Sequence, residues 1–354
     1  MEHFMHGGDW AGYFNEYGKP PMDFSASVSP LGLPESVQIA VSEALVLAGR
    51  YPDPLCRELR AALERHHDVP KEYILCGNGA ADLIYRLVAA LRPRQAVITA
   101  PTFSEYKRAL DMYGCQVTEY PLEKESDFAL SPEFLNAIEP GVELVFLCEP
   151  NNPTGISTAP ELLRRILTCC EAVGAQLVVD ECFHEFLPDT GAYTLLPLLK
   201  THPALTVLRA FTKSYGMPGL RLGYALCSNT KLLENMLCAG PPWAVSSPAQ
   251  AAGLAALEDE DYSRDLRALV LVQRPRLRQA LMALGLYVVP GQANYLLFFC
   301  SDTTLDLKLR DRGILIRNCT DFHGLGSGWY RIAVRGEADN NRLIEEMGKV
   351  IADG

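Results

Sequence analysis

Leu144-Val145-Phe146-Leu147-Cys148-Glu149-Pro150-Asn151-Asn152-Pro153-Thr154-Gly155 is the stretch on which the fold turns. Its first five residues form a short apolar run that suits a strand buried on both faces. The Asn-Pro-Thr-Gly that closes it is turn chemistry, so Asn152 is set down directly beyond the strand. The same unit recurs on either side. Strands are expected at about 96–99, 115–120, 177–180, 206–209 and 221–227. Helical spacing predicts helices at about 35–48, 54–67, 80–91, 103–113, 159–173 and 230–238. Apolar strands alternating with helices imply a mainly parallel sheet with helices on both faces. Ligands of such sheets bind beyond the carboxyl ends of the strands. Asp180 ends one strand, and Lys213 lies in the loop after another.

The character of the chain changes outside this block. Residues 1–34 are rich in Gly, Pro and Ser and read as an extended arm. A long helical stretch follows residue 246 and runs to about Leu284, with an interruption expected near Pro275. Strands at about 294–300, 314–317 and 329–334 and helices at about 303–312 and 338–352 then suggest a second, smaller α/β unit. The expected division is an arm over 1–34, a large unit over 35–246, and a connecting helix with a small unit over 247–354.

Bulk properties exclude several classes. The 354 residues are 48% hydrophobic and 21% charged, enough to build a large core. A formal net charge of −11 argues against nucleic acid as a partner. No apolar run approaches the length of a membrane span. Met1-Glu2-His3-Phe4-Met5-His6 lacks a signal-peptide pattern, so a cytoplasmic location is expected. The eleven cysteines have no framework spacing and read as reduced, mostly core thiols. His184 and His323 have no partner at a metal-ligand spacing, and no metal is expected.

Four residues in local frames carry the chemistry. Asn152 sits in Pro150-Asn-Asn-Pro-Thr-Gly155, Asp180 in Val178-Val-Asp-Glu181, Lys213 in Thr212-Lys-Ser214, and Arg221 in Gly219-Leu-Arg-Leu-Gly223. In this order they resemble the pyridoxal 5'-phosphate (PLP) site of fold-type-I enzymes, the aspartate aminotransferase superfamily. The resemblance spans essentially the whole chain. It implies that Lys213 forms a Schiff base with the cofactor aldehyde. It implies that Asp180 keeps the pyridine nitrogen protonated, that Asn152 bonds the ring hydroxyl, and that the Arg221 fork meets the phosphate. Cys76-Gly-Asn-Gly-Ala-Ala-Asp82 opens a helix, where small residues let a phosphate approach free N–H groups. Family likeness gives that phosphate role to the amides of Ala80 and Ala81 and to Thr212. It stacks Phe103 on the cofactor ring. It also sends Tyr51 to the phosphate of a neighbouring subunit, which implies a homodimer with composite sites.

PLP leaves several reactions open, because the bond that breaks is the one held perpendicular to the ring. Arg331, in Tyr330-Arg-Ile-Ala-Val-Arg335, matches the superfamily's carboxylate-binding arginine. Two subgroups compete, the histidinol-phosphate aminotransferases and the threonine-phosphate decarboxylases of the cobalamin pathway. Four segments are similar to the decarboxylases: His6-Gly7-Gly8-Asp9; Asp23-Phe24-Ser25-Ala26-Ser27-Val28-Ser29-Pro30-Leu31-Gly32; Asp180-Glu181-Cys182-Phe183; and the run from Ile314 to Arg335. Ser27 and Ser29 stand where those relatives have asparagines, and Phe183 where aminotransferases usually have tyrosine. The implied activity is decarboxylation of a phosphorylated amino acid, L-threonine O-3-phosphate, with amino-acid transamination as the alternative. A non-enzymatic PLP-binding regulator would usually carry a fused DNA-binding domain, and no helix-turn-helix stretch precedes the arm. Arg317 and Arg335 are the candidate phosphate ligands, since arginine grips phosphate bidentately. His6 is a further candidate.

Overall fold

The computed structural model describes residues 6–352; the Met1–Met5 part of the stretch read for a leader lies outside the described residues. A seven-stranded sheet forms the centre, in the order Ile74–Gly77, Gly223–Cys227, Leu205–Ala210, Gln176–Asp180, Leu144–Cys148, Gln95–Ala100 and Gln116–Pro121. The last five run parallel. Gly223–Cys227 is antiparallel to both its neighbours, so Ile74–Gly77 regains the common direction.

The apolar runs are continuous because both faces are covered. Side chains alternate along a strand. Val145 and Leu147 therefore face the core built with the helix Pro160–Val173, through Leu163, Ile166 and Leu167. Leu144, Phe146 and Cys148 face the opposite core. That core is built with the helix Gly79–Leu91, through Leu83, Ile84 and Leu87, and with the helix Ser104–Asp111. Eight of the eleven cysteines are buried, as small core hydrophobes are.

A second sheet has the order Arg317–Asn318, Trp329–Ala333, Tyr295–Phe299 and Tyr287–Val288, all antiparallel. The arm joins this part of the molecule: Met22–Asp23 pairs in parallel with Ile314–Leu315, and Phe24 enters its core. Among the described residues, no helix is long and apolar enough to cross a membrane. Nor do any three or more His, Cys, Asp or Glu side chains group as a metal site would require.

Several expectations are corrected. The arm is not wholly extended, because Trp10–Tyr17 is a helix. Asp9 caps it by accepting from Gly12 N at 3.0 Å, and Gly18 ends it at φ 67°. The long helical stretch breaks at Asp259, between helices Ser247–Glu258 and Glu260–Ala283. The Asp259 carboxylate accepts from Tyr262 N and from the Ser36 hydroxyl, so it caps the second helix. Pro275 lies within that helix on its exposed side, where water can reach the carbonyl left without a donor. Ile74–Gly77 and Tyr287–Val288 are strands that were not anticipated. The expected strand over 221–227 begins at Gly223, because Arg221 is left-handed at φ 58°.

The two sheets meet at the Asn-Pro-Thr-Gly turn. Tyr295 donates its hydroxyl to Asn151 O at 2.8 Å, and Gln292 N donates to Gly155 O at 2.6 Å. Gly155 is left-handed at φ 74°. A Cβ on Gly291 would lie 2.5 Å from Thr154 O and 2.9 Å from Gly155 Cα, both backbone atoms. Gly291→Ala should therefore force the joint apart and lower stability by about 1–3 kcal/mol. The measurement is a urea titration, in which the midpoint should fall while the slope is unchanged.

Candidate active site

The carboxyl ends of the parallel strands converge on one cavity of about 490 Å³. Its lining includes Lys213, Asp180, Asn152, Thr212, Arg221, Ala80, Ala81 and Phe103 from the large sheet, with Arg331, Arg317 and His6 from the second sheet and the arm. The structure thus brings together eleven of the residues singled out in the sequence. Tyr51 and Arg335 are not among the lining residues. Tyr51 is 76% exposed and stacks on Trp243 with ring centroids 4.3 Å apart. Arg335 is turned away, its Nε on Asp339 at 2.8 Å and its Nη1 on Asp23 O at 3.1 Å. Its side chain therefore has no place in the cavity where a phosphate ligand was expected.

Lys213 lies not in a loop but in a single helical turn, Phe211–Ser214, that follows its strand at once. The backbone of that turn is held by the arm, since Ser29 N donates to Lys213 O at 2.8 Å. Loss of water pushes the amine down from a lysine's ordinary value to about 8, and the nearby Arg331 charge pushes the same way. Phe183 presents its ring 5.9 Å from the Lys213 nitrogen.

Asp180 is buried at the end of its strand, and both carboxylate oxygens are engaged. Oδ1 accepts from Cys182 N at 3.0 Å and Oδ2 from the Tyr106 hydroxyl at 2.7 Å. Burial pushes its pKa up, while these donors hold it down. Tyr106 is a functional residue missed in the sequence. The signal was its position three residues after Phe103, on the same face of the following helix.

The start of the helix Gly79–Leu91 opens onto the cavity through Ala80 and Ala81 and has the form to hold a phosphate. The N–H groups of its first turn have no intrahelical acceptors. Gly79 and Gly223 keep the approach open. A Cβ on Gly79 would lie 2.7 Å from Arg221 Nη2, and one on Gly223 would lie 2.7 Å from Ala80 N. Thr212 is buried beside them.

On the opposite wall Arg331 is 7% exposed. It donates Nη1 to Asn152 Oδ1 and Nη2 to Ser25 O at 3.2 Å. Its guanidinium lies 5.2 Å from the Tyr295 ring centroid, while its buried Nε has no hydrogen-bond partner among the described residues. Ser27, also on the cavity wall, has a buried hydroxyl without a partner among the described residues. Arg317 is steadied by Asp321 at 2.6 Å and by the Phe322 ring. His6 contacts Glu105 at 3.0 Å.

The donor set fits pyridoxal phosphate. It offers an amine of low pKa for an aldehyde, a buried carboxylate for a ring nitrogen, an aromatic face, and a helix start with an arginine for a dianion.

Comparison with known proteins agrees. The sequence model of the aminotransferase class I and II family matches residues 20–347. The threonine-phosphate decarboxylase of Salmonella typhimurium is 40% identical over 93% of this chain and 91% of its own length. The crystal structure of a histidinol-phosphate aminotransferase from Clostridium acetobutylicum superposes with a TM-score of 0.88 at 26% identity, over 94% of this chain and all of that one. That of L-threonine-O-3-phosphate decarboxylase from Porphyromonas gingivalis superposes with a TM-score of 0.81 at 25% identity, over 93% of this chain and 99% of its own. The chain belongs to the aminotransferase class I and II family, whose cofactor is pyridoxal 5'-phosphate.

Proposed function

We propose that the protein decarboxylates L-threonine O-3-phosphate to (R)-1-aminopropan-2-yl phosphate, a building block of the cobalamin nucleotide loop. The observation that carries this reading is the cavity wall facing Lys213. It supplies one buried arginine for a carboxylate and a second, Arg317, for a further anion. The 40% identity to the Salmonella decarboxylase supports it. So does Phe183, which offers no hydroxyl to a ring oxygen.

Pyridoxal phosphate, when bound, accepts the electron pair left at the substrate's α-carbon as a bond there breaks. The chain's own residues do the rest. Asp180, with both oxygens engaged, holds a proton on the ring nitrogen. Asn152 spends its carbonyl on Arg331, which leaves its amide nitrogen for the ring hydroxyl. Ala80, Ala81, Thr212 and Arg221 hold the cofactor phosphate. Arg331 would bind the α-carboxylate and so orient the bond to carbon dioxide for cleavage. Arg317 and His6 take the substrate phosphate. Lys213, released from the cofactor and protonated from solvent, would return that proton to the α-carbon. Tyr51 is exposed and extends from its own subunit, which supports a homodimer in which it completes the partner's phosphate site. The working division is the arm over 1–34, the large unit over 35–246, and the small unit with its connecting helices over 247–354. The location proposed is the cytoplasm.

The direct test incubates the enzyme with threonine phosphate, and separately with histidinol phosphate and 2-oxoglutarate, and quantifies carbon dioxide and glutamate. Carbon dioxide from the first mixture with little glutamate from the second is expected. Glutamate without carbon dioxide would make the protein an aminotransferase. The lowered Lys213 pKa sets a pH dependence. Only the neutral amine attacks an aldehyde, so the rate of cofactor capture by apoenzyme should climb with pH and level off near 8, well below an ordinary lysine. Stopped-flow absorbance reads this, and borohydride should then leave the cofactor on the Lys213 peptide. The two arginines should separate by ligand. Arg317→Ala should weaken threonine phosphate by roughly tenfold or more and leave threonine little changed, given about 1.5–3 kcal/mol for a charged hydrogen bond. Arg331→Ala should weaken both. Equal losses for both ligands in Arg317→Ala would remove Arg317 from phosphate recognition.

A further inference from the structure

We infer that Tyr106 is the positioning residue that fixes Asp180 and Phe103 relative to each other, and so sets the seat of the cofactor ring. The inference rests on the pyridoxal-phosphate reading of the cavity. Tyr106 has no solvent exposure and does not line the cavity. It acts through two neighbours that do. Its hydroxyl donates to Asp180 Oδ2 at 2.7 Å. Its ring meets the Phe103 ring edge to face, with centroids 5.6 Å apart at 86°. It cannot drift, because its other face is stacked on Phe146 at 4.8 Å and 7°, and Phe146 belongs to the central strand Leu144–Cys148.

The geometry gives each contact a separate consequence. With pyridoxal phosphate bound, Asp180 would hold the ring nitrogen and Phe103 would stack on the ring. These two residues come from different segments, the end of the strand Gln176–Asp180 and the loop before the helix Ser104–Asp111. Nothing in the local sequence of either fixes one against the other. Tyr106 spans them with one side chain. Cys182 holds Asp180 from the other side, its amide donating to Oδ1, so losing the tyrosine hydroxyl would leave the carboxylate anchored from one side alone. It would also take a donor from a buried carboxylate oxygen, which is costly for a charged group.

The test is a double-mutant cycle of Tyr106→Phe with Asp180→Asn, read as the dissociation constant of pyridoxal phosphate by fluorescence quenching. Thermal unfolding of each apoprotein confirms that it is folded. Phenylalanine keeps both ring contacts and removes only the hydroxyl. In the parent background the substitution should weaken cofactor binding about tenfold or more, the worth of a hydrogen bond to a charged group. In the Asp180→Asn background it should weaken binding less than about twofold, since the partner charge is gone. Equal losses in the two backgrounds would show packing alone and overturn the inference. No loss in the parent would do the same. Failure of the parent protein itself to bind pyridoxal phosphate would overturn the cofactor reading together with the inference, and that first measurement separates the two failures.

Discussion

The hydrogen bond from Arg331 to Asn152 is the joint on which the rest of the molecule depends. A guanidinium that is 7% exposed is tolerated only if its donors find acceptors. Its two acceptors come from the turn after a large-sheet strand and from the arm, while the arginine itself stands on the small sheet. Three distant segments must therefore be in place before this charge can be buried. The surrounding contacts reinforce the demand. Tyr295 and Gln292 reach the same turn, and Gly291 and Gly155 let the two backbones touch. Its Nε has no hydrogen-bond partner among the described residues, which suits the substrate-binding role proposed for Arg331.

The ionisable groups on the cavity floor are held away from their resting preferences by the same burial. Water exclusion raises Asp180 and lowers Lys213, so each is driven toward its neutral form. Only specific partners oppose this. Tyr106 and the Cys182 amide favour the charged aspartate. For the lysine, the adjacent Arg331 and Arg221 add to the desolvation, and Cys182 and Asp23 oppose them only in part. The result is a carboxylate whose donors oppose its desolvation beside an amine biased to be neutral, a pairing that suits a ring nitrogen and an aldehyde.

Much of this was legible in the chain itself. The run Leu144–Cys148 and its repeats reported buried strands, because helices cover both faces and leave no polar side. Asn152, Asp180, Lys213 and Arg221 stood at strand ends, where this architecture places ligands. What was missed has identifiable causes. The helix Trp10–Tyr17 carries apolar residues at helical spacing, but the Gly-rich segment beside it masked the pattern. Pro275 drew attention as a helix breaker, although its exposed position makes the lost bond tolerable. Asp259, a cap with two donors, made the real break. Arg335 had the right residue type and spacing for a phosphate. However, a neighbouring aspartate one helical turn on and the arm carbonyl claim it, and such competition cannot be seen in one dimension.

The choice between reactions resides in the joint more than in the cofactor pocket. Asp180 ends a strand of the large sheet, and Phe103 and Lys213 lie in segments that follow its strands, where the proposed function has them hold the cofactor ring. Arg331, proposed to bind the carboxylate, stands on the small sheet. Under that proposal the placing of carboxylate against ring would depend on how one sheet lies on the other. The same fold is shared with solved aminotransferase and decarboxylase structures. The backbone contact between Gly155 and Gly291 helps to hold the joint between the two sheets. A side chain on Gly291 would force those backbones apart and disturb the joint that brings Asn152 and Arg331 together.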